Sequence, residues 1–136
     1  MKYRYKVLIV NDHEEVLHIL KKRIEQTGYT VESAKSTADA FEKVKNDKYH
    51  IVLIDSSIPH MDGVELLREI KKYDPMTQII MMAEDSNMDT ILSSLEYGAN
   101  DYINRPLKNQ EGIINVIDYS VQKLERWREA IQQIVT

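Results

Sequence analysis

A chain of 136 residues has the length of one domain, and its 43% hydrophobic and 29% charged residues are typical of a folded domain with a polar surface. The formal net charge of −4, without any block of Lys or Arg, argues against direct nucleic-acid binding, and the lack of cysteine excludes disulfides and thiolate metal sites. The N-terminal apolar run, residues 7–10, is too short for a signal peptide and no segment approaches the ~18 apolar residues of a membrane span, so we expect a cytoplasmic protein without a membrane partner.

Short apolar runs of strand length alternate with segments of helical period along the chain. In chain order the pattern predicts a strand at residues 6–10, a helix at 14–27, a strand at 30–34, a helix at 36–46, a strand at 51–55, a helix at 64–73, a strand at 78–83, a helix at 86–98, a strand at 101–104 and a helix at 109–134. Glycines at positions 28 and 98 and the proline at position 75 supply helix stop signals. The second strand, TVESA, is more polar, which favours a place near an edge of the sheet.

Five consecutive β-α units predict an α/β fold with a parallel sheet that is covered by helices on both faces. In such a sheet, ligands bind beyond the carboxyl ends of the strands, at the point where the strand order reverses. Asn11 and Asp12 directly follow the first predicted strand, and Asp55 ends the third. If these two strands are neighbours, the polar side chains face one another at one rim of the sheet.

Carboxylate and amide oxygens at adjacent strand ends are ligands that Mg²⁺ prefers. A bound cation would allow an anionic phosphoryl donor to approach Asp55, whose carboxylate could accept the phosphoryl group as an acyl phosphate. Arg105, fixed by Pro106 at the end of the fifth strand, could then contact the phosphoryl oxygens. Taken singly, these residues have plainer explanations: the acidic and amide side chains could be helix or turn caps, and Arg105 a surface residue.

Four segments, in this order and at these separations, resemble the receiver domain of bacterial response regulators: NDHEEV, IVLIDSSIPHMDG, IIMMAED and YGANDYINRPL. The resemblance covers residues 6–121, most of the chain. It implies a single flavodoxin-like (βα)5 domain over residues 1–121, with strand order 2-1-3-4-5, and leaves residues 122–136 as an extension of the last helix. It also implies a two-component signalling protein that is not an enzyme by purpose, although it could catalyse its own phosphorylation and dephosphorylation.

The resemblance implies a role for each matching site residue. Asp55 would be the phosphoacceptor and, together with Asp12, would ligate Mg²⁺ directly. The backbone carbonyl of Ser57 would complete the protein ligands, and Asn11 would contact the ion through water. Tyr102 falls at the aromatic switch position, whose ring moves inward on phosphorylation. A sensor histidine kinase would donate the phosphoryl group, and a downstream protein or a fused output domain would respond to the changed surface around helix 4, strand 5 and helix 5.

Three positions depart from the family pattern and make the site atypical. Asn11 replaces one of two acids, which should weaken Mg²⁺ binding; Ala83 replaces a Thr or Ser whose hydroxyl would bond a phosphoryl oxygen; and Arg105 replaces a Lys. Two interpretations are therefore open. In one, the domain accepts a phosphoryl group on Asp55 with altered kinetics. In the other, it is a degenerate receiver, an interaction or dimerisation module that works without phosphate. Independently of this choice, Tyr102 is either a switch residue or, given Ala83, ordinary strand packing.

Two other functions that such a sheet can carry are disfavoured by the sequence. The four glycines, at positions 28, 63, 98 and 112, are too dispersed for a phosphate-cradling loop, which argues against nucleotide or flavin binding. A haloacid-dehalogenase-like phosphatase would need a second acid where this chain has Ser57.

The predicted last helix carries apolar residues in a 3-4 alternation, at positions 114, 117, 121, 124, 131 and 135, interrupted by Arg128. Beyond residue 122 it is either an ordinary frayed terminus or a coiled-coil stub that dimerises the domain or leads into an output module. Without a partner, Leu124, Trp127 and Ile131 would be exposed to water. This helix and the helix 4–strand 5–helix 5 surface are the candidate surfaces for a homodimer.

Overall fold

Strands and helices alternate from one end of the chain to the other. The structure, a computed structural model, describes residues 5–56, 62–83, 87–104 and 111–135. The elements are β1 (Lys6–Val10), α1 (Glu14–Glu25), β2 (Thr30–Ala34), α2 (Thr37–Asn46), β3 (Ile51–Asp55), α3 (Gly63–Tyr73), β4 (Gln78–Ala83), α4 (Met88–Glu96), β5 (Asp101–Asn104) and α5 (Glu111–Val135). All five predicted strands are confirmed at their predicted bounds. No helix within these ranges is long and apolar enough to cross a membrane.

The strands form one parallel sheet in the predicted order, β2-β1-β3-β4-β5, with the polar β2 at an edge. β3 lies in the middle and all of its residues are buried, because its side chains meet helices on both faces of the sheet. Alternate residues of β1 enter two core clusters: Val7 packs toward α1 and α5, whereas Leu8 packs toward α2 and α3. Met81 and Met82, predicted as core residues, are fully buried.

The ends of α1 differ from the prediction by a few residues. Its N-cap is His13, not one of the two polar residues before it, and the His13 side chain accepts a hydrogen bond from Val16 N at 3.4 Å. The helix stops at Glu25, earlier than the predicted residue 27. Gly28 follows with a φ of 105°, a left-handed conformation that favours glycine, and so provides the predicted stop.

The N-cap of α4 is Asn87 rather than the predicted Ser86. The Asn87 Oδ1 atom accepts a hydrogen bond from Thr90 N at 2.9 Å, and the helix begins at Met88. Ser86 itself lies outside the described residues, as does the predicted start of α5 at residue 109. The described part of α5 runs from Glu111 to Val135.

Two tyrosines that precede strands hold α5 against the sheet. The hydroxyl of Tyr29, just before β2, donates a hydrogen bond to Asp118 Oδ1 at 2.5 Å. Tyr5, just before β1, hydrogen-bonds the Glu125 carboxylate, and burial together with this carboxylate raises the pKa of Tyr5 to about 12. Leu124 joins both tyrosines in one core cluster and is only 9% exposed. The prediction that Leu124 would be exposed is therefore wrong, because α5 stays packed further along its length than expected.

His50 lies directly before β3, in surroundings that favour the neutral form of its ring. Its Nδ1 atom accepts a hydrogen bond from Lys6 N at 3.1 Å, and its ring lies edge-on to Tyr5 with 4.9 Å between the ring centroids. Burial, aided by the nearby charge of Lys48, lowers the pKa of His50 below its ordinary value. Protonation of Nδ1 would also break the bond to Lys6 N, because a protonated nitrogen cannot accept.

Protonation of His50 is therefore expected to lower the free energy of unfolding as the pH decreases. The folded protein favours the neutral ring, so this contribution is complete above the ordinary pKa of about 6.5 and is lost as the pH falls through the lower folded-state pKa. His50→Asn, whose side-chain oxygen can still accept a hydrogen bond, should lose less unfolding free energy than the wild type between about pH 7.5 and about pH 5.5. Urea unfolding at both pH values measures this, with His18→Asn on the exposed side of α1 as the control. Equal losses in wild type and His50→Asn would contradict the expectation.

Candidate functional site

The carboxyl ends of β1 and β3 lie side by side in the middle of the sheet. Val10 and Ile54 are paired across these strands, so the residues that follow, Asn11 and Asp55, occupy neighbouring positions. β1 has β2 on one side and β3 on the other, which makes this the point where the strand order reverses. Both Asn11 and Asp55 have 0% exposure, so the structure places this predicted pair together and out of water.

The side chain of Asn11 bridges Asp55 and the backbone. Its Nδ2 atom donates a hydrogen bond to Asp55 Oδ2 at 3.0 Å, and its Oδ1 atom accepts one from His13 N at 2.8 Å. A carboxylate oxygen accepts and a backbone N–H donates, so only one orientation of the amide satisfies both partners. Asn11 thus supplies a neutral donor to the buried carboxylate. The sequence interpretation, in which Asn11 contacts Mg²⁺ through water, did not include this role.

The described groups that could hold a hard cation are the carboxylates of Asp12 and Asp55. Asp12 is exposed at the rim of the site, one residue beyond Asn11, whereas Asp55 lies buried. Ser57 and Arg105, the other predicted contacts, lie outside the described residues. Over the described ranges, no three His, Cys, Asp or Glu side chains group together as a metal site. Two carboxylates with backbone and water ligands nevertheless fit Mg²⁺, which usually keeps several waters when bound to protein.

The end of β3 and the start of α3 lie in close contact on one side of the site. Ser56 N donates a hydrogen bond to Met82 O at 2.8 Å, which continues the pairing of β3 and β4 past Asp55. A Cβ atom on Gly63, the first residue of α3, would lie 3.0 Å from Ile54 Cγ2 and 3.3 Å from Ser56 Cα. Because the core is close-packed, any side chain at this position would displace the end of β3. Gly63 therefore lets α3 begin directly beside the site.

Ala83 and Tyr102 belong to one face of the sheet, the face covered by α2 and α3. Tyr102 pairs with Met81, and Ala83, two residues further along β4, points to the same side. Ala83 is 4% exposed, and the ring of Tyr102 packs against the core cluster of this face. The Tyr102 hydroxyl oxygen is buried and has no hydrogen-bond partner among the described residues. The ring is thus directed inward, beside a position that carries no hydroxyl.

Comparison with known proteins agrees with this geometry. A sequence profile of the response regulator receiver domain matches residues 7–133. The chain belongs to this family. Among solved structures, a response regulator receiver domain protein (CheY-like) from Methanospirillum hungatei is 30% identical with a TM-score of 0.86, and the match covers 90% of this chain and 97% of that chain.

Two further solved structures share the receiver fold at lower identity. NtrX from Brucella abortus, in complex with ADP, is 24% identical with a TM-score of 0.83; the match covers 92% of this chain but 29% of NtrX. TrrA from Thermotoga maritima, in complex with Mg²⁺-BeF, is 24% identical with a TM-score of 0.77, and the match covers 85% of this chain and 98% of TrrA. The same fold therefore occurs both as most of a chain and as one part of a longer protein.

Receiver domains are in general signalling modules rather than enzymes. Phosphorylation and Mg²⁺ binding are general properties of the family, and its members act with histidine kinases and output domains. The family and the two-component pathway predicted from the four sequence segments are confirmed.

Proposed function

We propose that this receiver domain accepts a phosphoryl group on Asp55 in a Mg²⁺-dependent reaction in the cytoplasm, with a sensor histidine kinase as donor. The observation that supports this most is the complete burial of the Asp55 carboxylate at the strand-order reversal, held by the Asn11 amide at 3.0 Å. Removing a carboxylate from water costs several kcal/mol unless it is paired, roughly the scale of a domain's whole stability. A buried carboxylate at a ligand-binding position is therefore a candidate for a functional group.

The proposed reaction transfers a phosphoryl group from a nitrogen or oxygen atom of the donor to an oxygen atom of Asp55. An Asp55 oxygen attacks the phosphorus atom, the bond between phosphorus and the donor breaks, and the leaving group keeps the electron pair. The Asn11 N–H fixes the rotation of the carboxylate during this step. Mg²⁺, held by Asp12, Asp55 and the Ser57 carbonyl and contacted by Asn11 through water, would offset the repulsion between donor and nucleophile. Arg105 would contact the phosphoryl oxygens from the end of β5.

A second candidate function is a protein-interaction module that works without phosphate. It is favoured by Ala83, which offers no hydroxyl to a phosphoryl oxygen, and by Tyr102, whose ring already lies inward. In both cases the surface formed by α4, β5 and α5 would contact a downstream protein or a fused output domain. We keep residues 1–121 as the receiver proper and residues 122–136 as its helical extension.

Phosphorylation is tested by mixing the protein with acetyl phosphate and Mg²⁺ and measuring the intact mass. We expect an added mass of one phosphoryl group in the wild type, no adduct in Asp55→Ala, and little adduct without Mg²⁺. Asp62→Asn is the matched control, since Asp62 is an exposed acid that caps α3 and asparagine caps equally well. No adduct with acetyl phosphate or with a phosphorylated histidine kinase domain would instead favour the phosphate-independent module.

A further inference from the structure

The far end of α5 presents an apolar stripe that no described residue covers. Leu124 is the last residue of the stripe in the core, at 9% exposure. Trp127, Ile131 and Ile134 continue it at 38%, 51% and 83% exposure. Together with Leu124 they are spaced three, four and three residues apart, which places them on one side of the helix. We call Trp127, Ile131 and Ile134 the α5 stripe.

A cleft opens at the base of the α5 stripe, at the end of the sheet opposite Asp55. It has a volume of about 410 Å³ and is lined by Tyr5, Lys48, His50, Met76, Leu124 and Arg128. Its apolar surface continues the stripe through Leu124, and two of its six lining residues are cations. Lys48 is paired with Asp74 at 2.6 Å, and Arg128, on the exposed part of α5, hydrogen-bonds the Tyr5 hydroxyl. The stripe and the cleft therefore form one continuous surface.

The side chains that border the α5 stripe are cationic on both sides. Lys123 lies four residues before Trp127, and Arg128 lies four residues after Leu124 and three before Ile131, so both flank the stripe by position. The Lys123 Nζ atom lies 5.2 Å from the centroid of the Tyr119 ring, one turn earlier on the helix. The acids of this segment are not at flanking positions: Glu125 hydrogen-bonds Tyr5, as Arg128 also does, and Glu129 is two residues from both Trp127 and Ile131. The stripe thus has an apolar centre and a positive border.

This charge pattern disfavours a second copy of the chain as the partner. In a helix pair along the stripe, Lys123 and Arg128 occupy the flanking positions that face the partner helix. Two identical helices would bring these cations together in either orientation, and no acid of the stripe's own border could compensate them. A helix with acidic residues at the flanking positions would instead form opposite-charge pairs on both sides.

We propose that the α5 stripe and its cleft bind an amphipathic helix of a different protein, whose apolar face is bordered by Asp and Glu. The apolar residues of that helix would cover Trp127, Ile131 and Ile134, which are otherwise left in water. A side chain from its end would fill the cleft over Leu124 and Met76. The surface lies at the end of the sheet opposite Asp55, so the proposal does not depend on phosphorylation.

Trp127 is the single tryptophan of the chain and reports directly on this surface. The probes are two synthetic helical peptides without tryptophan that share one leucine seam and carry either Glu or Lys at the flanking positions. Titrated into the full chain at low ionic strength, the Glu peptide should shift Trp127 emission to the blue and bind on the order of tenfold more tightly than the Lys peptide. Asp55→Ala should give the same result, which separates this proposal from the phosphorylation chemistry.

Charge reversal supplies the specific control. The double variant Lys123→Glu/Arg128→Glu should reverse the preference between the two peptides. Arg126→Glu, one residue from Trp127 and about 100° around the helix, should leave it unchanged. Equal binding of both peptides, or no response of Trp127 to either, would overturn the proposal. So would a dimer of the chain alone, seen by sedimentation, that Ile131→Ser dissociates, because the stripe would then be occupied by a second copy.

Discussion

Replacing Asn11 by aspartate is expected to lower the free energy of unfolding of the metal-free protein by about 3–5 kcal/mol. Asn11 and Asp55 both have 0% exposure, and the Asn11 Nδ2 atom donates to Asp55 Oδ2 at 3.0 Å. The substitution turns this donor into a carboxylate oxygen and places two acids in contact away from water. No hydrogen bond between the two groups can offset their repulsion, since an ionised carboxylate can only accept.

Mg²⁺ should reverse much of this loss, because a divalent cation between two carboxylates removes their repulsion. Urea unfolding with and without Mg²⁺ measures the effect: Asn11→Asp should gain several kcal/mol from the ion, and the wild type much less. The control is the exchanged pair Asn11→Asp/Asp55→Asn, which restores one amide and one carboxylate and should recover most of the metal-free stability. If Asn11→Asp without Mg²⁺ were as stable as the wild type, the Asn11–Asp55 hydrogen bond would not stabilise the fold as described.

The ring and the hydroxyl of Tyr102 are expected to act in opposite directions on stability. Tyr102→Ala should cost about 3 kcal/mol, because the ring packs into the core cluster that includes Met81 and Ile54. Tyr102→Phe should instead stabilise the protein by about 1 kcal/mol, because it removes a buried hydroxyl oxygen that has no hydrogen-bond partner among the described residues. Chemical denaturation of the unphosphorylated protein measures both changes.

Tyr119 provides the comparison for Tyr102, since its side chain lies on α5 with 53% exposure. Tyr119→Phe and Tyr119→Ala should each change the stability by less than about 0.5 kcal/mol beyond helix propensity. If the Tyr102 ring faced solvent before phosphorylation, its two variants would behave like those of Tyr119. That result would support Tyr102 as a switch that moves inward, whereas the expected result favours a ring that is already inward before phosphorylation.

The fold was predictable because three of the five strands are marked by their apolar composition and all five alternate with helical segments. β1, β3 and β4 are short runs of almost entirely apolar residues, which is typical of strands buried on both faces of a sheet, and their alternation with helices indicates a parallel one. The residues at which helices begin and end were less predictable, because a single capping hydrogen bond can determine them. A side-chain contact from Asn87 to Thr90 N sets the start of α4, and neighbouring polar residues in the sequence look equally able to make it.

The position of the candidate site could be predicted from the sequence, but the orientation of its side chains could not. The positions of Asn11 and Asp55 at adjacent strand ends follow from the order of the strands. The direction of the Asn11 amide does not, because it depends on a contact between residues 44 positions apart and on the N–H of His13. The exposure of Leu124 was predicted wrongly for a related reason. The tyrosines that pack with it, Tyr5 and Tyr29, precede strands near the other end of the chain.

Phosphoryl transfer to Asp55 is tested most directly by locating the acyl phosphate on the chain. After incubation with acetyl phosphate and Mg²⁺, sodium borohydride reduces a phosphorylated aspartate to homoserine, and peptide mass spectrometry identifies the converted residue. We predict conversion at Asp55, with Asp12 and Asp62 unchanged. Conversion at any other acid, or none in a protein that unfolds cooperatively and is therefore folded, would contradict the role of Asp55 as phosphoacceptor.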